Sequence, residues 1–213
     1  MAGGDVEDAL RQGACEPGLK LIETLLYDGS QYPRLHLHLN RLQGAASLLG
    51  WSCDRAAAER AIRAAEPQGS ARMRLTLDAM GVISVTASDL PPAKLVWQLA
   101  LAPGHLTSDD PWLTLKSSRR AAYDAARAAL PEGIDEAIFL NERGEVCDGT
   151  ITTLFFDRGQ GMRTPPRACG LLPGVLRAVL DLPEEVLLAE DLPKVRLWVG
   201  NSLRGLISAV WAA

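Results

Sequence analysis

LKSSRRAAYDAARAAL, residues 115–130, runs on through a short break into DEAIFLNERGEVCDGTITTLFF, residues 135–156. In the first segment Ala122, Ala125, Ala126, Ala129 and Leu130 recur at helical spacing along one face, and Pro131 and Gly133 end the helix. In the second, Ala137–Asn141 and Glu145–Cys147 flank Glu142-Arg143-Gly144 as a hairpin. Ile151–Phe156 then reads as a further strand. A helix followed directly by several short strands predicts an α/β (α+β) chain.

Working outward, Leu95–Leu101 is an apolar strand, and Trp112–Leu115 is a strand-like approach to Lys116. Between them lies a loop through Gly104 and Asp109-Asp110-Pro111. Downstream, Gly170-Leu171-Leu172-Pro173-Gly174 opens a helix to about Leu180, with Pro173 near its first turn. Strands at Val186–Leu188, Arg196–Val199 and Leu206–Trp211 complete a strand-rich half. Upstream, Asp89-Leu90-Pro91-Pro92 is the best linker, because adjacent prolines stiffen the chain and remove backbone donors. Before it, Leu19–Tyr27 reads as a strand, Asp28-Gly29-Ser30 as a turn and Tyr32–Leu35 as a short strand. Leu42, Ala45, Ala46 and Leu49 mark a helix over Leu37–Leu49, and Asp54 caps a second one running to about Ala65. Arg72–Asp78 and Val82–Ser88 form a hairpin around Met80-Gly81, and residues 1–17 read as a loose leader. The sequence therefore predicts two lobes, 1–90 and 91–213, with Lys116 in the second.

Composition excludes several classes. The 213 residues are 47% hydrophobic, enough for a core, and a net charge of −4 offers no basic face to nucleic acid. The four cysteines, Cys15, Cys53, Cys147 and Cys169, lie far apart without a CxxC pair or a metal-like cluster, which argues for reduced thiols rather than a disulfide framework. No apolar stretch reaches the ~20 residues of a membrane span, and no signal peptide precedes the first strand. A cytoplasmic protein is expected.

Lysine is scarce: Lys20, Lys94, Lys116 and Lys194 are all there are. Lys116 stands directly before a helix start and is followed by Arg119 and Arg120, at the positive end of the helix dipole. Neighbouring cations lower the pKa of a lysine that must attack as a free amine, and they leave room for an anion. The alternative is a solvated surface lysine on a charged face. Asp148-Gly149 with Thr150, Thr152 and Thr153 could hold a protonated ring nitrogen, or be an ordinary turn. The Gly170–Arg177 turn could give helix amides to a phosphate, or be structural. Asn201-Ser202 could cap, turn or bind phosphate. His38 and Arg41 could equally be packed and surface residues.

These segments stand in an order that resembles the class IV (fold type IV) pyridoxal-phosphate family, which includes branched-chain and D-amino acid aminotransferases and 4-amino-4-deoxychorismate lyase. The resemblance lies in LIETLLYDG and HLNRL (within 21–42), LKSSRRAAYDAAR and DEAIFLNERGEVCDGTITTLFF (115–156), GLLPGVLR (170–177) and VGNSLRGL (199–206), and covers most of the chain. It implies a two-lobed fold like that of D-amino acid aminotransferase, with pyridoxal 5'-phosphate at the lobe interface. It further implies that Lys116 forms the Schiff base and moves protons, and that Arg41, the Val175 and Leu176 amides and Ser202 take the phosphate. Asp148 stands in place of the usual glutamate beside the pyridine nitrogen, Leu171 packs on the ring, and Thr152 and Thr153 lie near it.

There are three departures from the family pattern. Asp148 is one methylene short, the residues before the first strand lack the usual glycine-rich approach, and the tyrosine of branched-chain members has no counterpart at Arg120 or Ala121. The RxxYDxAR run, DEAIFLNERGE and GNSLRGLI are most similar to lyase members, some of which are fused to aminodeoxychorismate synthase. The resemblance thus implies a homodimeric lyase that forms 4-aminobenzoate and pyruvate for folate synthesis, with Arg120 on a substrate carboxylate and a possible association with the synthase. An aminotransferase for branched-chain or D-amino acids is the first alternative, and a degenerate cofactor-binding protein without turnover the second.

Overall fold

The computed structural model describes residues 3–65 and 67–212 and divides into two compact units. The first is Met1–Pro92 together with Leu115–Arg119; the second is Ala93–Thr114 together with Arg120–Ala213. The first break between the units falls between Pro92 and Ala93. Lys116, however, groups with the first unit and not with the C-terminal lobe in which the sequence reading put it.

The first unit is built on an antiparallel sheet of β1 (Lys20–Tyr27), β2 (Ala71–Asp78) and β3 (Ile83–Asp89), in that order. In β2 every second residue faces inward, so Ala71, Met73, Leu75 and Leu77 are buried while Arg72 and Arg74 are exposed. Leu21 and Leu25 of β1 stand opposite Leu77 and Met73 on that inner face. The β2–β3 turn is fixed by Asp78, whose Oδ1 accepts from the amides of Met80 at 3.0 Å and Val82 at 2.9 Å. Helix α2 (Leu35–Leu49) buries Leu35, Leu39, Leu42, Ala46 and Leu49, and α3 (Arg55–Arg63) buries Ala58 and Ile62. Asp54 caps α3 as expected, accepting from the Ala57 amide at 2.9 Å. Two expectations fail. The leader contains a helix, α1 (Gly3–Gly13), with Leu10 buried, and the short strand at Tyr32–Leu35 is a turn into α2.

The structure explains why Lys116 belongs to this unit. The Lys116 carbonyl accepts from the Ile22 amide at 2.8 Å, the Ser118 amide donates to the Lys20 carbonyl at 2.8 Å, and Ser117 bridges Leu21. The Lys20 amide in turn donates to Ser118 Oγ at 2.9 Å. Residues 116–118 thus lengthen the sheet along the open edge of β1. The approach to Lys116 is a 3₁₀ turn, Pro111–Thr114, not a strand.

The second unit holds a six-stranded mixed sheet in the order β6-β5-β4-β9-β8-β7. Its strands are β4 (Val96–Leu106), β5 (Glu136–Asn141), β6 (Val146–Gly149), β7 (Thr153–Asp157), β8 (Arg196–Asn201) and β9 (Gly205–Trp211). Laid flat, the two end strands of such an order would sit ~24 Å from each other across five spacings. Yet β6 and β7 are the two edges and are joined by residues 150–152 alone, which span at most ~14 Å from Gly149 to Thr153. The Gly149 amide also donates to the Thr152 carbonyl at 2.7 Å. The sheet therefore curls until its edges meet at that turn. Its interior is filled by Leu99, Ile138, Val146, Leu154, Phe156, Leu187, Val199 and Ile207.

Helix α4 (Ala121–Ala128) packs beside β5, and α5 (Val175–Leu180) follows the Gly170–Gly174 turn. Residues 186–188, read as a strand, make only single bridges and run into a 3₁₀ segment at Ala189–Lys194. The four cysteines are free thiols. No described helix is long and apolar enough to cross a membrane.

Candidate active site

In the first unit, β1 and α2 bring together a buried carboxylate, an imidazole and a guanidinium. Glu23 stands on the inner face of β1 opposite Leu75, and His38 and Arg41, three residues apart on α2, share one helix face. His38 Nδ1 lies 2.6 Å from Glu23 Oε2, while Arg41 donates through Nε to Oε1 at 2.8 Å and through Nη2 to Oε2 at 2.6 Å. Glu23 is 2% and His38 1% exposed, so the pair is shielded from water. Burial alone would raise the Glu23 pKa. The Arg41 charge and its hydrogen bonds, with those of His38, outweigh it and hold the carboxyl at about 2.

This depression makes the fold sensitive to acid. A carboxyl held down in the folded state stabilises it above the unfolded value and loses that contribution as pH falls towards the folded one. Between about pH 4.3 and 2, Glu23 should therefore withdraw on the order of 3 kcal/mol. Urea titrations of the cofactor-free protein across this window should show the loss, and Glu23→Gln should flatten it. An unchanged pH slope in the variant would place the acid sensitivity elsewhere.

The two arginines after Lys116 are met by protein carboxylates. Arg119 Nε is 3.2 Å from Glu16, and Arg120, the residue before the first turn of α4, has Nε 3.3 Å from Asp124. Their mutual repulsion therefore does not by itself call for an external anion. Arg120 also donates through Nη2 to the Thr150 carbonyl at 2.7 Å and lies over the Tyr123 ring, 5.2 Å from its centroid.

In the second unit, three loops converge at the end of the curled sheet. The first is the Asp148–Thr153 turn, with Asp148 6% exposed at the end of β6. The second leads into α5 and lacks a side-chain cap at Gly174; a Cβ on Gly174 would lie 2.9 Å from Thr153 Oγ1. The third is the Asn201–Gly205 turn with Ser202, 5% exposed. Asn201 ties it to the first, donating through Nδ2 to the Ile151 carbonyl at 3.1 Å while its Oδ1 accepts from the Leu203 and Arg204 amides. Gly200 ties it to α5, since a Cβ there would strike Leu176 Cδ2 and the Gly205 carbonyl, both at 2.6 Å. Leu171, in the second of these loops, is fully buried.

The structure thus brings Asp148, Thr153, Val175, Leu176 and Ser202 into one region of the second unit, and Lys116 and Arg41 into the first. Thr152 is turned to another use: its hydroxyl donates to Glu136 at 2.8 Å. Sequence reasoning missed Glu23 and Glu136. The available signal is a lone carboxylate inside the apolar run LKLIETLLY for Glu23, and a carboxylate directly abutting the apolar run AIFL for Glu136.

A sequence model of the amino-transferase class IV family matches residues 20–210. Among solved structures, a candidate amino-acid aminotransferase from Mesorhizobium loti is 40% identical with a TM-score of 0.87, covering 91% of this chain and 100% of its own. The 4-amino-4-deoxychorismate lyase of Pseudomonas aeruginosa is 20% identical (TM-score 0.77, 90% and 82% covered). A Mycobacterium tuberculosis aminotransferase of hypothetical assignment, with α-ketoglutarate and PMP bound, is 22% identical (TM-score 0.80, 93% and 83% covered). The last two show a shared fold. No curated protein matches the sequence.

Proposed function

Because this chain belongs to the class IV aminotransferases, enzymes dependent on pyridoxal phosphate, we propose that it is a lyase converting 4-amino-4-deoxychorismate to 4-aminobenzoate and pyruvate. The side chains present suit the cofactor. A lysine amine, a guanidinium, a buried carboxylate and a shielded hydroxyl are on hand, and Gly174 leaves open the space a Cβ would fill beside Thr153.

When bound, pyridoxal phosphate supplies an electron sink for the charge left as a proton leaves the amine-bearing carbon. The Lys116 amine takes that proton, the C–O bond to the enolpyruvyl group breaks as the substrate ring becomes aromatic, and the departing enolpyruvate takes up a proton to become pyruvate. Asp148 keeps a proton on the pyridine nitrogen through its opposite charge. Leu171 packs on the ring, and Thr153 borders it. Arg41, the Val175 and Leu176 amides and Ser202 hold the phosphate, and Arg120 meets a substrate carboxylate. A cytoplasmic homodimer working beside aminodeoxychorismate synthase completes the proposal.

What favours the lyase is the segment after the lysine. Neither Arg120 nor Ala121 is the tyrosine that branched-chain members carry shortly after the lysine, and Tyr123 lies further along α4, its ring edge-on to Phe139 with 5.1 Å between centroids. Burial, with the Asp148 charge adding, pushes the Tyr123 phenol far above its ordinary pKa. The 40% identical M. loti structure favours a second reading, an amino-acid aminotransferase. Incubation with 4-amino-4-deoxychorismate decides: equimolar 4-aminobenzoate and pyruvate without added keto acid supports the lyase. Turnover only with an amino-acid and keto-acid pair supports the aminotransferase, and bound cofactor without turnover on any amine supports a degenerate binder.

The phosphate assignment has its own test. Glu23 already engages Arg41 through Nε and Nη2, so the guanidinium that would meet the phosphate is held in place. A charge-assisted bond is worth more than a neutral one, so Arg41→Ala should weaken cofactor binding ~10–100-fold and Ser202→Ala only ~5-fold. Titration of the folded apo variants measures both. Unchanged affinity in Arg41→Ala would mean the phosphate is misplaced.

A further inference from the structure

Glu136 is the most heavily engaged carboxylate of the second unit, and no role so far uses it. It opens β5, is 0% exposed, and faces the turn that carries Asp148. Its Oε1 accepts from the Thr150 amide at 3.0 Å, from the Ala137 amide at 3.1 Å and from the Thr150 hydroxyl. Its Oε2 accepts from the Ile151 amide at 3.2 Å and the Thr152 hydroxyl at 2.8 Å. Arg127 Nη1, 3.4 Å away, is the cation that accompanies it, and the same nitrogen reaches the Thr150 hydroxyl at 3.1 Å. Two successive amides and two hydroxyls of residues 150–152 thus converge on one buried carboxylate. Arg120 holds the same turn from its carbonyl side at Thr150.

The packing leaves this turn no slack. A Cβ on Gly149 would lie 2.5 Å from Thr152 Oγ1 and 2.9 Å from Glu136 Cδ and Oε2, so the backbone next to Asp148 runs directly over the carboxylate. Three residues also join the two edges of the curled sheet here, with nothing to absorb a shift. Any movement of the turn is passed to Asp148 on one side and to Thr153 on the other. We propose that Glu136 is a positioning residue, whose buried carboxylate fixes the 149–152 turn and thereby aims Asp148. The proposal rests on the reading of Asp148 as the partner of the cofactor ring nitrogen.

Because the role is exercised through Asp148, a double-mutant cycle isolates it. Glu136→Gln keeps the shape but turns an amide towards donors that need an acceptor. A misplacement of order 1 Å at a reacting group can cost ~10²-fold, and a loss of kcat of that size is expected with little change in cofactor affinity. The visible absorbance of the reconstituted protein should shift with pH in the same sense as in Asp148→Asn, a readout independent of turnover. In the Asp148→Asn background, Glu136→Gln should cost no more than a factor of about two beyond the single variant.

Gly149→Ala displaces the same turn with the Glu136 charge intact, and should reproduce the signature if Glu136→Gln fails to fold. Losses that simply multiply in the double variant, or a normal pH response of the absorbance in both single variants, would overturn the role of Glu136. Wild-type turnover in Asp148→Asn would instead overturn the reading on which the proposal rests, so the two failures are distinct.

Discussion

Lys116→Ala should reduce turnover at least ~10³-fold, because in the proposed reaction it removes a nucleophile and a general base in one substitution. The backbone of residue 116 is held to β1 by the Ile22 amide, and that bond does not depend on the side chain. The variant should therefore fold as the parent does and still take up cofactor through its phosphate. It should also lose the visible band that arises when the cofactor is joined to a lysine. Turnover with the true substrate, circular dichroism and the absorbance spectrum check the three parts together. Retained turnover with a retained band would assign the chemistry to another lysine.

Asp148→Asn should lower turnover ~10²-fold or more, the cost of deleting one preorganised charge at a reacting centre. Cofactor content should be unchanged, because the phosphate contacts are elsewhere. A carboxylate beside a pyridinium favours ionisation of both in a poorly solvated place, and Asp148 is 6% exposed. Asp148→Glu restores the residue usual in the family and tests the missing methylene. The close approach at Gly149 shows a turn already packed without slack. The added methylene should then be overpacked and cost ~1–3 kcal/mol of stability, read from urea midpoints. Higher stability and higher turnover in Asp148→Glu would instead mean that Asp148 reaches its partner through a gap. Near wild-type turnover in Asp148→Asn would remove it from the site.

Local features of the fold were legible in the sequence. The alternation of Arg72–Asp78, the Asp54 cap and the Met80-Gly81 hairpin depend on neighbours a few residues away, and all three stand in the structure. What the sequence hid were pairings at long range. Lys116 was read with the helix that follows it, whereas its backbone bonds run to Ile22, a strand some ninety residues upstream. The leader, polar and rich in small residues, reads as loose, yet Leu10 is buried. Trp112–Leu115 looked like a strand from its apolar run alone, a pattern that a short 3₁₀ turn shares.

The site shows the same division. The residues proposed to carry chemistry are singled out because their order along the chain resembles a family. Glu23 and Glu136 were not, since each reads as an ordinary charge until its distant partners are placed: Arg41 on α2 for one, Thr150 and Thr152 across the sheet seam for the other. Arg120 was read as a cation waiting for an anion. Its guanidinium also braces the turn that Glu136 holds.

The most direct test of the account is chemical. Wild-type protein reconstituted with pyridoxal phosphate should be reduced with borohydride, digested, and searched for the cofactor-bearing peptide. The chain holds only Lys20, Lys94, Lys116 and Lys194, so the answer is unambiguous. Lys94 and Lys194 already pair with Asp135 and Asp191. The account predicts a single adduct, on Lys116. An adduct on Lys20, Lys94 or Lys194, or none on a protein that shows the visible band, would contradict it.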